Sequence, residues 1–287
     1  MKKIIILTLL KSGKKIATAN SKMYSSFQLA KKYFYYFFHS YNGKGHGVHS
    51  PFVFDFIIHV LNDKKKYDCY SQIENLRKQL LADNNWIEVE DFGAGSAKFP
   101  FKKRKIKEIA ASSLKKKKYA QLLFRIAQYY KAKTIVELGT SFGISTSYLA
   151  SANPLSNVYT FEGASNIAAI AQQNFKKEGL ANIELIQGDF ANTLPVNEEK
   201  TGIIDLLFVD GNHRKNATID YFKLFLKKSS KNSIFIFDDI HWSEEMEEAW
   251  EIIKAHPSVT LSIDLFFIGL IFFSEDFRVK QDFPIRF

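Results

Sequence analysis

The sequence predicts an α/β protein in which a mostly parallel sheet of seven strands carries helices on both faces and follows a helical N-terminal region. Beyond about residue 133, short apolar segments rich in β-formers alternate with helical segments, which is typical of a parallel sheet. The charge also changes along the chain. Residues 1–118 carry 24 Lys and Arg against 9 Asp and Glu, a net +15, whereas residues 119–287 carry −5. The asymmetry indicates two parts of different architecture.

The seven strands follow residue 133. Five of them are five to seven residues long, with helical segments between them: TIVEL, VYTFE, IELIQ, IDLLFVD and SIFIFDD. The last segment, VTLSIDLFFIGLIFF, supplies two more strands without a helix between them. A sheet built in this order is Rossmann-like, and we expect it to span residues 119–287.

The N-terminal part is predicted to be mainly helical. SSFQLAKKYFYYFFHSY places aromatic residues at helical spacing, and FVFDFIIHVLND begins a second helix with Ser50 as N-cap and Pro51 at the first helical position. We expect residues 23–118 to form a basic cap region. Residues 1–22 are expected to be a flexible tail, or to precede a true start at Met23.

Composition excludes several classes of protein. Apolar residues make up 46% of the chain, so global disorder is not expected. A single cysteine, Cys69, excludes an internal disulfide framework and a Cys-based zinc site. The apolar segment 261–273 contains Asp264 and is shorter than the roughly 20 residues of a membrane-spanning helix. The N-terminal segment is a poor match to a signal peptide, so a cytoplasmic location is expected.

A glycine-containing turn is the central motif. In TIVELGTSFGISTSYLA, residues 134–150, a strand leads into Glu137-x-Gly139-x-x-x-Gly143, which opens a helix. Glycines in such a turn let the backbone approach a ligand, and the free amides of the helix start favour polar or anionic groups. The turn lacks the G-x-G-x-x-G pattern, so a dinucleotide is not the favoured ligand.

Acidic residues end four successive strands: Glu137, Glu162, Asp189 and Asp210. Ligands of open α/β sheets bind beyond the carboxyl ends of the strands, where all four carboxylates are expected to lie. A carboxylate at Glu162 can accept both ribose hydroxyls of a nucleoside. Asp189 can bond an adenine amino group while Phe190 packs against the ring.

These segments resemble the class I S-adenosylmethionine (SAM) methyltransferases over about residues 120–275. ELGTSFGISTSYLA, FEG, GDF and FVDGNH match the cofactor-binding segments of that family, and ELGTSxGxST with VDGxH is similar to its small-molecule O-methyltransferase branch. GVHSPFVFDFI looks like the N-terminal region of an uncharacterised bacterial group in the family. The resemblance implies that the SAM site is formed by Glu137, Gly139, Thr140, Ser141 and Gly143 at the methionine part, Glu162 at the ribose, and Asp189 and Phe190 at the adenine, with Asp210 beside them.

Methyl transfer requires an aligned nucleophile and a group that takes its proton. VDGNH offers Asp210 and His213 as candidate catalytic residues, with His213 as general base. Metal-dependent O-methyltransferases hold a divalent ion at these strand ends, and the set Asp210, Asp238 and Asp239 resembles their ligands. Mg²⁺ is therefore a second candidate cofactor, although other members keep similar acids without a demonstrated ion. His241 and Trp242 are expected to line the acceptor pocket.

The expected reaction is methylation of an oxygen on a small molecule, with the N-terminal region covering the acceptor site. An RNA methyltransferase that uses the basic segments KFPFKKRKIK and SSLKKKKYAQ is the alternative enzyme, and a non-catalytic SAM-binding protein is another. Base N-methylation is not favoured, because residues 210–213, DGNH, lack the prolines typical of those enzymes. DFGAGS, residues 91–96, is interpreted as a structural turn or as part of a lid. A homodimer is a further candidate.

Overall fold

The computed structural model describes residues 23–90 and 102–287. The predicted N-terminal tail, residues 1–22, and the DFGAGS turn lie outside the described residues. None of the helices in the described ranges combines the length and the apolar character needed to cross a bilayer.

Two strands of the first part, Trp86–Val89 (β1) and Lys102–Lys105 (β2), pair antiparallel. The other eight form one sheet: Thr134–Leu138 (β3), Asn157–Glu162 (β4), Ile183–Gln187 (β5), Leu206–Val209 (β6), Ile234–Asp238 (β7), Leu261–Asp264 (β8), Ile268–Phe272 (β9) and Gln281–Pro284 (β10). Their order is β10-β8-β9-β7-β6-β3-β4-β5, and only β9 runs antiparallel to its neighbours. The predicted fold class is confirmed, but the sheet has eight strands rather than seven.

The extra strand is β10, at one edge of the sheet. It is only four residues long and ends at Pro284, so its sequence carries little strand signal. A proline is tolerated there because the outward-facing backbone amides of an edge strand have no neighbouring strand to bond.

Helices flank the sheet. Those of the first part are Ser26–His39 (α1), Pro51–Phe56 (α2), which continues as a π-helical turn Ile57–Leu61, Asp68–Ala82 (α3), Ile106–Ser113 (α4) and Lys117–Tyr129 (α5). Those of the second part are Ile144–Ala152 (α6), Ser165–Glu178 (α7), Phe190–Thr201 (α8), Lys215–Leu226 (α9) and Glu244–Ala255 (α10). Pro51 begins α2 as predicted, but the side chain of Ser50 makes no capping hydrogen bond.

Neighbouring residues of the central strands enter two different cores, as the alternation of side chains in a strand requires. On β3, Ile135 packs with the helices α2, α5 and α6, whereas Val136 packs with α8, α9 and α10. A third core joins α3 and α4 to α5, α6 and α7. The sheet is therefore covered on both faces, which leaves its carboxyl edge as the place for a site.

The first part of the chain packs directly on the sheet. The Tyr36 hydroxyl of α1 donates to the backbone oxygens of Asp264 (3.0 Å) and Ile285, and the Phe56 ring of α2 stands edge-on against Phe272 of β9. The division at residue 118 remains a prediction.

Candidate functional site

A cavity of about 760 Å³ opens at the carboxyl ends of β3 to β7. Each of these five strands brings a polar or glycine residue to its wall: Gly139, Glu162, Asp189, Asp210 and Asp238. The first part of the chain also lines the cavity, through β1, β2, α4 and the connection between α4 and α5. The strand-end rule therefore places most of the predicted site residues around one cavity.

The turn after β3 depends on two glycines. Gly139 has φ +104°, and a Cβ there would lie 2.3 Å from the backbone oxygen of Asp210. Gly143 has φ +86°, and a Cβ there would lie 2.4 Å from the Phe175 ring. Gly139 lines the cavity, whereas Gly143 faces the helix α7 behind the turn. The first glycine thus brings backbone to the cavity, and the second allows α6 and α7 to pack.

Glu162 is the best-anchored carboxylate of the cavity. Its Oε2 accepts a hydrogen bond from the Ser141 amide (2.8 Å) and its Oε1 one from the Ala164 amide (3.0 Å). Burial raises the pKa of Glu162, and the backbone amides lower it by less. Each oxygen keeps a lone pair for a ligand, since a carboxylate offers about four acceptor sites.

Glu137 does not line the cavity. It is fully buried below the turn, where its Oε2 accepts hydrogen bonds from the hydroxyls of Thr146 and Thr160 (2.7 Å for Thr160). Its Oε1 has no hydrogen-bond partner within the described residues. Burial raises its pKa to about 7, although the hydroxyls of Ser145, Thr146 and Thr160 lower it. Thr140 lies in the same buried group, since its hydroxyl is 2.6 Å from that of Thr160.

Asp189 and Phe190 both line the cavity at the end of β5. Asp189 is also the N-cap of α8, because its Oδ1 accepts from the Ala191 amide (3.2 Å). The Phe190 ring stands edge-on against Tyr221, with centroids 6.0 Å apart. A Cβ at Gly211 would lie 2.8 Å from this ring, so glycine there leaves room for it.

Lys115 contacts two carboxylates, that of Asp210, which follows β6, and that of Asp238, which ends β7. The Lys115 Nζ lies 3.1 Å from Asp210 Oδ2 and also contacts Asp238 Oδ2. Their side chains are only 11%, 13% and 3% exposed for Lys115, Asp210 and Asp238. Lys115 belongs to the short connection between α4 and α5. The first part of the chain therefore supplies a cation to the acids of the second.

The three charges set one another's protonation. Burial raises the pKa of Asp210, and the neighbouring Asp238 raises it further. Burial also raises the pKa of Asp238, but Lys115 outweighs burial and holds that pKa below its usual value. Burial lowers the pKa of Lys115, and the two carboxylates more than reverse this. Asp238 and Lys115 therefore form the ion pair, and Asp210 takes up a proton more readily.

His213 lies beside this ion pair. Its Nε2 is 3.7 Å from Asp210 Oδ1, and burial lowers its pKa, so the imidazole is neutral near pH 7. Ligand atoms of Asp210, His213 and Asp238 all lie within 4.8 Å of one another. The predicted metal set included Asp239 instead, which lines the cavity but is not in this group. Burial, with Asp238 nearby, raises the pKa of Asp239 to about 7.

Aromatic side chains line the cavity next to the end of β7: Tyr119, Trp242 and Phe267. His241 was predicted to join them, and this prediction is wrong. Its Nδ1 lies 3.0 Å from Glu247 and its Nε2 2.8 Å from Asp264, so its ring is held away from the cavity.

Lys115 is the site residue that sequence reasoning missed. It is one of four consecutive lysines, residues 115–118, which read as a solvated basic segment. Only its position at the start of the helix that leads into β3 hinted at the site, because that helix start lies at the carboxyl edge of the sheet. Nothing in the sequence distinguishes it from its three neighbours.

Residues 136–240 match the family described as a methyltransferase domain. The catechol O-methyltransferase of Niastella koreensis is 34% identical over 126 residues, 43% of this chain and 55% of that protein. The tRNA (guanine-N(7)-)-methyltransferase of Mycoplasma mobile is 34% identical over 105 residues, 33% of this chain and 52% of that protein. The chain thus spans about half the length of these curated relatives.

A solved structure extends the likeness to 73% of the chain. The O-methyltransferase TomG from Streptomyces achromogenes, crystallised in complex with SAM, superimposes with a TM-score of 0.53 at 19% identity, over 73% of this chain and 91% of that chain. At this identity the likeness shows the fold. Residues 136–240 are thus similar to a methyltransferase domain, and the chain shares its fold with this structure.

Proposed function

We propose that this chain is a SAM-dependent methyltransferase that methylates an oxygen of a small acceptor. The observation that carries the proposal is the anchored carboxylate of Glu162, which shares one cavity with Asp189 and with the Asp210–His213 pair. A nucleoside site and a proton-accepting group therefore lie next to each other. The name of the Niastella relative supports an oxygen acceptor.

The cavity suits SAM in size and charge. Its volume of about 760 Å³ lies within the range of about 300 to 1,000 Å³ that is usual for ligand sites. SAM carries a sulfonium cation, which an acid-lined cavity attracts. We assign the ribose to Glu162, the adenine to Asp189 and Phe190, and the methionine part to the turn at Gly139 and Ser141. Glu137, Thr140 and Gly143 act by holding that turn in place.

His213 is the proposed general base. Its imidazole is neutral near pH 7 and can therefore accept a proton, while the ionised Asp238 of the same cluster stabilises the imidazolium that forms. In the proposed reaction, the acceptor oxygen bonds to the methyl carbon and the carbon–sulfur bond breaks, with its electron pair remaining on sulfur. The hydroxyl proton passes to His213. The residues then need only to align the acceptor and remove one proton.

The aromatic wall indicates the acceptor class. Tyr119, Trp242 and Phe267 flank the part of the cavity that borders Asp238 and Asp239. Such a wall packs favourably against a flat ring. A small phenol or catechol is therefore the acceptor that we propose.

The RNA alternative has less support. Lys115 is directed at buried carboxylates, and Lys116 and Lys118 lie over the rings of Phe267 (5.4 Å) and Phe287 (3.9 Å). These lysines are thus engaged with the protein itself. RNA binding would weaken steeply with salt, whereas a flat response would reject this alternative.

Labelled SAM tests the proposal. We expect methyl transfer to oxygen in a panel of phenols and catechols, with products identified by mass spectrometry. His213→Ala should lower the rate by about 10²-fold or more, since general bases contribute about that much. Transfer only to RNA, or to no acceptor despite SAM binding, would contradict the proposal. A cytoplasmic location, where SAM is made, and a homodimer stay predictions, which cell fractionation and light scattering would test.

A further inference from the structure

A divalent cation does not fit the acidic cluster as it stands. The donor set of Asp210, His213 and Asp238 is compact enough for an ion. However, the Lys115 ammonium already contacts both carboxylates, each through its Oδ2. A divalent ion would have to bind the same oxygens within a few ångströms of a fixed positive charge, which Coulomb repulsion opposes.

We infer that Lys115 is the resident cation of the acceptor site and that the proposed methyl transfer therefore proceeds without a divalent metal ion. The inference rests on the proposed function. In it, Lys115 is a positioning residue that keeps Asp210 and Asp238 together beside His213. It also places one positive charge next to the part of the cavity where the acceptor oxygen is expected.

The position of Lys115 is built into the fold. The hydroxyls of Ser113 and Ser141 are 2.7 Å apart and tie the end of α4 to the turn after β3. On the other side, the Lys116 ammonium lies 5.4 Å from the Phe267 ring. Lys115 itself lies 5.7 Å from the ring of Phe208, on β6. The connection between α4 and α5 is thus held on both sides, and its lysine is only 11% exposed.

Binding of Mn²⁺, followed by the electron paramagnetic resonance of the free ion, tests the inference without any acceptor. Wild-type protein is expected to bind no Mn²⁺ at this cluster. Asp238→Asn should therefore leave its Mn²⁺ binding unchanged. Lys115→Met removes the ammonium from the group of Asp210, His213 and Asp238. Mn²⁺ should therefore bind to this variant more than about tenfold tighter than to the wild type. Lys115→Arg keeps the cation and should behave as the wild type.

Lys117→Met is the matched control, because Lys117 is an exposed lysine of the same run and its loss changes the net charge equally. It should leave Mn²⁺ binding unchanged. The double variant Lys115→Met/Asp238→Asn should lose the site that Lys115→Met gains.

A wild-type Mn²⁺ site that Asp238→Asn abolishes would overturn the inference. So would a folded Lys115→Met protein that gains no Mn²⁺ site. If circular dichroism shows Lys115→Met to be unfolded, the wild-type and Asp238→Asn measurements still decide. Calorimetry with SAM on the same samples tests the proposed function separately, since loss of SAM binding rejects that function whatever the Mn²⁺ result.

Discussion

Gly139 lines the cavity and has a backbone conformation that favours glycine. Its φ of +104° strains any other residue, and a Cβ would lie 2.3 Å from a backbone oxygen that cannot move as a flexible side chain can. The motif predicted a glycine turn here. The structure adds the reason, which is the close approach of the strand end at Asp210.

Gly139→Ala should lower the free energy of unfolding by about 2 kcal/mol or more, because it combines backbone strain with a clash. Gly179→Ala is the control, since Gly179 also has positive φ (+71°) but open space around it. Gly179→Ala should cost only about 1 kcal/mol. Urea denaturation of both variants checks this, and equal losses would show that the contact with Asp210 is unimportant.

Glu162 carries the second residue-level prediction. Glu162→Gln keeps the size of the side chain but removes its charge, and the charge-assisted hydrogen bonds assigned to the ribose are worth about 1.5 to 3 kcal/mol. SAM affinity should therefore fall about tenfold or more, measured by calorimetry. The exposed Glu275→Gln is the matched control and should leave the affinity unchanged. A Glu162→Gln protein with wild-type affinity would remove the ribose assignment.

Strand ends allowed Glu162, Asp189, Asp210 and Asp238 to be placed at one edge from the sequence, because parallel strands finish together. Whether such a side chain faces the cavity could not be predicted. The Glu137 side chain instead accepts hydrogen bonds from the hydroxyls of Thr146 and Thr160 beneath the turn. This orientation depends on the surrounding packing.

At the level of elements, His241 joins three of them. It bridges Glu247 of α10 and Asp264 of β8. Glu247 also accepts hydrogen bonds from Tyr24, just before α1 (2.8 Å), and from Lys32 on α1 (2.8 Å). Burial lowers the pKa of His241, but its two carboxylate partners raise it to about 9. The imidazolium therefore holds the N-terminal helix to the far end of the sheet.

This raised pKa predicts a pH-dependent stability. The folded state holds the His241 proton more tightly than the unfolded state, whose pKa is near 6.5. The contribution is thus fully present below about pH 6.5 and is lost as pH rises through about 9; from the shift it amounts to about 3 kcal/mol. Urea denaturation should show this loss in the wild type and not in His241→Gln. Parallel stability curves for the two proteins would contradict it.

Long apolar elements were predictable, whereas short polar ones were not. The strands β3 to β9 follow apolar segments visible in the sequence. By contrast, β2 is Lys102–Lys105, four basic residues whose pairing with β1 depends on tertiary contacts. The helix α4, Ile106–Ser113, was likewise hidden in a lysine-rich stretch.

For the whole molecule, the charge asymmetry has a structural meaning. The basic first part and the acidic second part meet at Lys115, and again at Lys32 with Glu247. Part of the positive charge of the first part is thus used inside the protein. A net charge of +10 is therefore a poor guide to nucleic-acid binding here.

The shared core predicts that both parts unfold together. Phe56 of α2 is fully buried and packs against Phe272 of β9. Phe56→Ala should therefore cost about 3 to 5 kcal/mol in the free energy of unfolding and lower a single melting transition. Calorimetry that resolved two transitions, only one of them shifted, would show instead that residues 23–118 fold independently.

Titration of SAM into the folded wild-type chain by calorimetry tests the central claim most directly, because it needs no acceptor. We predict saturable binding of SAM that is lost in Gly139→Val, where a branched side chain would fill the turn beside Asp210. Absence of binding to the wild type, or equal binding to Gly139→Val, would contradict the assignment of this cavity to SAM.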